Sequence, residues 1–74
     1  MSEADKMFEE LGYKCEWRYR NLILIYYKNN TCIQFDKEQK KFCKFEDSDD
    51  YVICDISMQE LKAIYLKCKE LGWI

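Results

Sequence analysis

The two glycines of this 74-residue chain constrain its fold most, because each one closes a helical pattern. Both follow Glu-Leu and precede an aromatic residue, in Glu10-Leu11-Gly12-Tyr13 and in Glu70-Leu71-Gly72-Trp73. A glycine directly after an apolar helical stripe is typical of the left-handed residue that ends a helix. The sequence therefore predicts one helix at each end of the chain and a different kind of structure between them.

The first predicted helix covers about Glu3 to Leu11, with Ser2 as its N-cap. The second covers about Met58 to Leu71 and begins with a capping box, in which Ser57 and Glu60 bond each other's backbone amides. Helical spacing predicts that this second helix buries one apolar stripe. The stripe consists of Met58, Leu61, Ile64, Tyr65, Cys68 and Leu71.

The segment between the helices has the patterns of β-strands. Leu22 to Tyr27 is apolar on both faces, which predicts a central strand, and Asn29-Asn30 suits a two-residue hairpin turn. Further strands are predicted at Lys14 to Arg20, Thr31 to Asp36, Lys41 to Phe45 and, shorter, Tyr51 to Asp55. The chain is therefore predicted to be a single α+β domain, residues 1–74, in which two helices flank an antiparallel meander of four to five strands.

The composition argues against most catalytic chemistry. The chain has no histidine, so it lacks Ser–His and Cys–His pairs and any imidazole base. Its five cysteines form no Cys-x-x-Cys motif, and in a reducing cytosol we expect them to be small buried apolar side chains. We therefore predict a protein that is not an enzyme and that holds no metal and no cofactor.

The charge and hydropathy patterns favour a cytoplasmic protein. No apolar run approaches the roughly 18 residues of a membrane span, and the N-terminus is acidic, unlike a signal peptide. A net charge of −2 with both signs interspersed argues against direct nucleic-acid binding. A domain of this size buries a thin core, which favours a homodimer as a supplement.

A sheet with helices on one face leaves its other face to be explained. Either a partner covers the apolar side chains there, or long Lys and Arg stems do. An acidic turn nearby carries carboxylates that can mimic phosphates against the basic groove of a partner. The predicted partner-binding residues combine this turn with aromatics of the central strand: Glu46, Asp47, Asp49, Asp50, Tyr51, Tyr26 and Tyr27.

Two alternatives involve the aromatic and basic residues of the first strand. In one, Trp17, Arg18, Tyr19 and Arg20 line a pocket for a small molecule or signalling nucleotide at the seam of an oligomer. In the other alternative the chain is a small nucleic-acid-binding regulator, using the basic side chains of Arg18, Arg20, Lys28, Lys40 and Lys41. Aromatic rings near these charges resemble a surface on which bases stack. On a regular strand, however, Trp17 and Tyr19 point away from Arg18 and Arg20, which favours core packing.

Four segments carry a resemblance: Met7 to Tyr13, Ile33 to Glu38, Ser57 to Ile64 and Glu70 to Ile74. In this order they resemble small uncharacterised proteins carried by phages and prophages of Gram-positive bacteria. The resemblance implies a binding protein in the host cytoplasm that occludes a surface of one host protein, as anti-CRISPR proteins do. The partner it implies is a defence nuclease or another nucleic-acid-processing complex.

Overall fold

The computed structural model describes residues 2–46 and 55–74. Within them, four strands form one antiparallel sheet in the order β1-β2-β3-β4. This confirms the predicted α+β class with a short N-terminal and a longer C-terminal helix; of the fifth strand predicted at 51–55, only the last residue is described. The elements along the chain are α1 (Glu3–Glu10), β1 (Lys14–Arg18), β2 (Ile23–Lys28), β3 (Thr31–Asp36), β4 (Lys41–Glu46) and α2 (Met58–Glu70).

The strand register sorts the side chains of the sheet onto two faces. On the face toward the helices, Tyr26 of β2 pairs with Cys15 of β1 and with Ile33 of β3. On the opposite face, Ile25 pairs with Glu16 and Gln34. We call this second side the open face, because no described helix packs on it.

The core lies between the sheet and the two helices, and aromatic rings dominate it. Phe8 of α1 stacks on Tyr26 with 3.9 Å between ring centroids, and Phe35 meets Tyr26 edge-on at 5.8 Å. Such stacked and edge-to-face pairs are favoured arrangements of aromatic rings. The buried cluster consists of Phe8, Tyr13, Leu24, Tyr26, Ile33, Phe35, Ala63, Ile64 and Cys68.

Both helices begin where the sequence predicts and end one residue earlier than predicted, at Glu10 and Glu70. Ser57 and Glu60 form the complete capping box of α2, and Ser2 accepts a hydrogen bond from the backbone amide of Asp5 at 3.0 Å. Gly12 and Gly72 have φ of +94° and +78°, and the aromatic residue after each donates its amide to a carbonyl in the last helical turn. These are Schellman endings, which a glycine accommodates without strain.

The predicted apolar stripe of α2 is wrong in part. Met58, Leu61 and Tyr65 are exposed, at 74%, 46% and 51% of their surface. The helix is rotated so that two charged residues enter the buried face, because each finds partners there. The buried residues of α2 are Glu60, Ala63, Ile64, Lys67 and Cys68.

The first strand is shorter than predicted, since it ends at Arg18. The next three residues, Tyr19, Arg20 and Asn21, all have left-handed backbone conformations, with φ of 54°, 57° and 67°. They form the turn into β2, and the amide of Leu22 closes it by donating to the carbonyl of Tyr19 at 3.2 Å. Tyr19 and Arg20 therefore do not continue the alternation of the strand.

The expectation that the cysteines are buried holds for Cys68 alone among the described ones. Cys15 and Cys43 are exposed, because they lie on the two outer strands of the described sheet. Cys32 is half-buried, and Cys54 lies outside the described residues. In the part of the chain that is described, no helix has the length and apolar character of a membrane span.

Candidate functional site

Two groups of buried or half-buried charges join the helices to the sheet. We call the first the Glu60 cluster; it comprises Tyr13, Lys44, Ser57 and Glu60. We call the second the Asp5 cluster; it comprises Asp5, Tyr26, Lys67 and Glu70. Each contains a carboxylate, a lysine and a tyrosine whose hydroxyl donates to the carboxylate. Sequence reasoning identified Glu60 only as a capping residue and predicted neither cluster.

The Glu60 carboxylate is the more enclosed of the two acceptors. It accepts from the Lys44 ammonium at 3.0 and 3.2 Å, from the Ser57 amide at 2.9 Å and from the Tyr13 hydroxyl. Lys44 also donates to the carbonyl of Asp55 at 2.8 Å. A single side chain on α2 is thereby fixed to β4, to the helix's own N-cap and to Tyr13, the residue directly before β1.

These contacts set the protonation of the Glu60 cluster. Burial by itself raises the pKa of Glu60, but the hydrogen bonds from Tyr13, Ser57 and Lys44 outweigh it and lower this pKa to about 2. Burial and the bond to Glu60 raise the pKa of Tyr13 above its ordinary range. The carboxylate is therefore ionised and the phenol neutral across the physiological range.

The Asp5 cluster joins the two helices across the edge of the core. Lys67 lies 3.2 Å from Asp5 and 3.3 Å from Glu70, and the Tyr26 hydroxyl donates to Asp5. Glu70 in turn accepts from the backbone amide of Ala4 at 3.1 Å. Burial opposes ionisation of Asp5, and the bonds from Tyr26 and Lys67 still lower its pKa. The cluster holds α1 against α2.

The buried polar groups are fully used by the fold. Within residues 2–46 and 55–74, no buried side-chain nitrogen or oxygen is without a hydrogen-bond partner. In the same residues, no group of three or more acidic or cysteine side chains is placed to hold a metal ion.

An exposed apolar strip follows from the orientation of α2. Met58, Leu61 and Tyr65 recur at helical spacing on its outward side, and we call them the α2 outer stripe. Two exposed lysines, Lys62 and Lys69, border it, and the Lys69 ammonium lies 5.6 Å from the centre of the Tyr65 ring. Three large apolar side chains in a row are typical of a helix face that contacts a partner.

The open face is concave and only partly apolar. A depression of about 480 Å³ is lined by Ile25, Tyr27 and Phe45, and Glu16 and Arg18 stand at its rim. Ile25 is 7% exposed although no described helix covers it. Arg18 is paired with Glu16 at 2.9 Å, and its aliphatic stem is one of those expected to shield this face.

The predicted partner-binding residues have different positions. Tyr26 is 1% exposed and bonded to Asp5, so its side chain belongs to the core and offers no contact surface. Tyr27 is 37% exposed and lies on the open face. Glu46 is the last residue of β4. The remaining ones, Asp47, Asp49, Asp50 and Tyr51, lie outside the described residues.

The alternative ligand-binding residues do not form one pocket. Trp17 faces the helix side and Arg18 the open face, as expected on a regular strand. Tyr19 and Arg20 are exposed in the left-handed turn. A lysine that sequence reasoning did not select, Lys37, places its ammonium 5.2 Å from the centre of the Trp17 ring.

No protein family, curated protein or solved structure matches the chain. The resemblance to phage proteins therefore stays a prediction.

Proposed function

We propose that this protein is a non-enzymatic binding protein that covers a functional surface of a host protein, and that the α2 outer stripe is its main contact. The observation that carries the proposal is the exposure of Met58, Leu61 and Tyr65 together on one helix. Large apolar side chains at this spacing are the anchors with which an amphipathic helix enters a groove.

The charges beside the stripe define the chemistry of the partner. Lys62 and Lys69 border the apolar side chains, so an apolar groove with an acidic rim is the complementary surface. A second copy of this chain is a poorer occupant, because a two-fold pairing of the stripes brings lysines of like charge together. Charge complementarity of this kind raises the rate of encounter and excludes basic partners.

The internal clusters support this function by fixing the helix before it binds. Glu60 and Lys67 on the inner side of α2 are held by Lys44 and Asp5 respectively. A contact helix that is already immobilised loses little further conformational entropy on binding. The stripe is therefore presented as a rigid surface.

The class of partner is proposed from the sequence resemblance. A phage or prophage protein with such a surface fits an inhibitor of a host defence or nucleic-acid-processing complex in the host cytoplasm. The predicted contribution of the acidic residues from Glu46 to Tyr51 stays a prediction beside the stripe.

The test is capture of a host protein by matched variants. The tagged wild-type protein, a Leu61→Ser/Tyr65→Ser variant and an Ile74→Ser control are each incubated with host lysate, and bound proteins are identified by mass spectrometry. Ile74 is a suitable control because it is an apolar side chain that is 69% exposed and lies beyond the end of α2.

The expected result is one stoichiometric nucleic-acid-processing protein with the wild type and the control, and its loss with the double variant. The purified partner should lose its activity when the wild-type protein is added. Capture of such a protein by all three forms would refute the stripe as the contact, and an empty wild-type lane would refute the proposed function for that host.

A further inference from the structure

Two turns meet at one end of the sheet and form a surface distinct from the α2 outer stripe. The turn after β1 and the turn after β3 are neighbours, because Ile23 pairs with Asp36. The amide of Lys37 donates to the carbonyl of Leu22 at 3.0 Å, which ties the two turns together. We call this surface, residues 16–22 and 36–42, the basic end.

The basic end has the opposite charge to the protein as a whole. Its five basic residues outnumber its three acidic ones, whereas the full chain has a net charge of −2. Glu16 is already paired with Arg18, and the Asp36 carboxylate accepts the amides of Glu38 and Gln39 at 3.0 and 3.1 Å. The basic residues are Arg18, Arg20, Lys37, Lys40 and Lys41.

Exposed aromatic rings accompany these charges. Trp17 is 40% exposed, Tyr19 72% and Phe42 39%. The register places Trp17 and Phe42 at the two ends of one row across the sheet, on the helix side, separated by three strand spacings of about 4.8 Å each. Trp73 packs against Phe35, which lies between them in this row, at 6.1 Å between ring centroids.

The structure removes the objection that the rings and the charges occupy different faces. That objection treats Trp17 to Arg20 as one regular strand, but the strand ends at Arg18 and a left-handed turn follows. The cation lies over one face of the Trp17 ring and comes from the neighbouring turn, since the Lys37 ammonium is 5.2 Å from the ring centroid. Ring and positive charge are therefore within reach of the same ligand.

We propose that the basic end binds single-stranded nucleic acid without sequence preference. Bases stack on Trp17 and Tyr19, while Arg20, Lys37 and Lys40 contact the phosphates. Every base has a flat face that stacks on an aromatic ring, and the flanking cations replace the counterions of the backbone. This goes beyond the proposed function, because it assigns a second ligand to a second surface.

A single strand fits these observations better than a duplex or an acidic protein. In a duplex the base faces are stacked on each other, so exposed rings gain nothing from it. An acidic peptide satisfies the cations and leaves the rings unused. The combination of exposed rings with cations therefore points to unpaired bases.

The test measures the fluorescence anisotropy of a labelled oligothymidylate as the purified full chain is added at low salt. Three variants accompany the wild type: Trp17→Leu, Arg20→Glu/Lys40→Glu, and Lys6→Glu/Lys14→Glu as a control with the same change in charge. Lys6 and Lys14 are exposed; Lys6 lies on α1, and Lys14 lies at the opposite end of β1 from Arg18. Circular dichroism and a thermal melt establish that each variant is folded.

We expect micromolar binding by the wild type, about tenfold weaker binding by Trp17→Leu, and nearly unchanged binding by the control. The slope of log affinity against log salt should fall by about 1.4 in Arg20→Glu/Lys40→Glu, since each lost phosphate contact contributes about 0.7. If Trp17→Leu does not fold, Tyr19→Ser is the second stacking variant and should weaken binding in the same direction.

Three results would overturn the proposal. The first is no change in anisotropy at protein concentrations up to about 100 µM at low salt, which spans the usual range of non-specific affinities. The second is an equal loss of binding in the control. The third is that polyglutamate competes with the oligonucleotide in a way that depends on the lysines but not on Trp17. That result would make this end a site for acidic protein. Each outcome is independent of capture by the α2 outer stripe.

Discussion

The Glu60 cluster and the Asp5 cluster use the same three kinds of side chain in different surroundings. In the first, the side chains of Lys44 and Glu60 are 13% and 9% exposed. In the second, Lys67 is 9% exposed, but its partners Asp5 and Glu70 are 28% and 31% exposed. The same hydrogen bonds should therefore contribute differently to the stability of the fold, because water can replace a lost partner only in the more exposed cluster.

The largest expected effect comes from removing one lysine from each cluster. Lys44→Met should lower the free energy of unfolding by about 3 kcal/mol, because Glu60 is left ionised and enclosed. Lys67→Met should cost about 1 kcal/mol, because water can approach Asp5 and Glu70. Urea unfolding followed by circular dichroism measures both, with the exposed Lys62→Met as the control. Equal losses in the two clusters would refute the comparison.

Acid should weaken both clusters. The pKa of Glu60 falls from 4.5 to about 2 on folding, so its stabilisation is complete above pH 4.5 and is lost as the pH falls towards 2. The pKa values of Asp5 and Glu70 are also lowered, so protonation of these two carboxylates in acid also weakens the fold. The melting temperature should fall as the pH is lowered from 4.5 towards 2, and it should fall less steeply in Glu60→Gln. The same slope of melting temperature against pH in that variant would show that Glu60 is not the group responsible.

Alkali should act through the two tyrosines. Their pKa values are raised in the folded protein, so their contribution is complete below the ordinary tyrosine pKa of about 10 and is lost at higher pH. Removing each hydroxyl tests this: Tyr13→Phe should cost about 2 kcal/mol and Tyr26→Phe about 1 kcal/mol. Thermal melts at neutral and alkaline pH measure the difference, and a greater cost for Tyr26→Phe would reverse the ranking of the clusters.

A smaller effect of opposite sign is expected far from both clusters. Arg20 has a left-handed backbone with φ of 57°, which costs a non-glycine residue free energy. Arg20→Gly should raise the free energy of unfolding by about 0.5 to 1 kcal/mol. In the double variant with Lys44→Met the two changes should be additive, so this gain should offset part of the loss. Arg18→Gly, within β1, is the matched control and should destabilise. Failure of the two changes to add would show that the turn and the cluster are coupled.

The smallest effect is expected at the Glu16–Arg18 pair. The Arg18 and Glu16 side chains are 54% and 45% exposed, so Glu16→Gln should change the free energy of unfolding by no more than about 0.5 kcal/mol. This pair serves as the exposed reference for both clusters. A loss comparable to that of Lys67→Met would show that exposure does not explain the ranking.

Elements that have a local cause follow from short patterns along the chain. Ser57 with Glu60, and Gly12 with Tyr13, act on backbone groups a few residues away, so the helix bounds follow from short patterns. The alternation of apolar residues likewise predicted the strands and the α+β class. The turn after β1 was an exception, because a left-handed backbone at Tyr19 and Arg20 has no strong local signal.

Which side of α2 is buried depends on contacts between distant parts of the chain. The apolar pattern along the helix predicts that Met58, Leu61 and Tyr65 are buried, but they are exposed. Glu60 and Lys67 are buried instead. They find partners in Lys44 and Asp5, which come from distant parts of the chain. The same holds for the basic end, where Lys37 reaches Trp17 only after two turns are brought together. Charge pairing across the fold depends on positions in space, and a pattern of neighbours along the chain does not contain them.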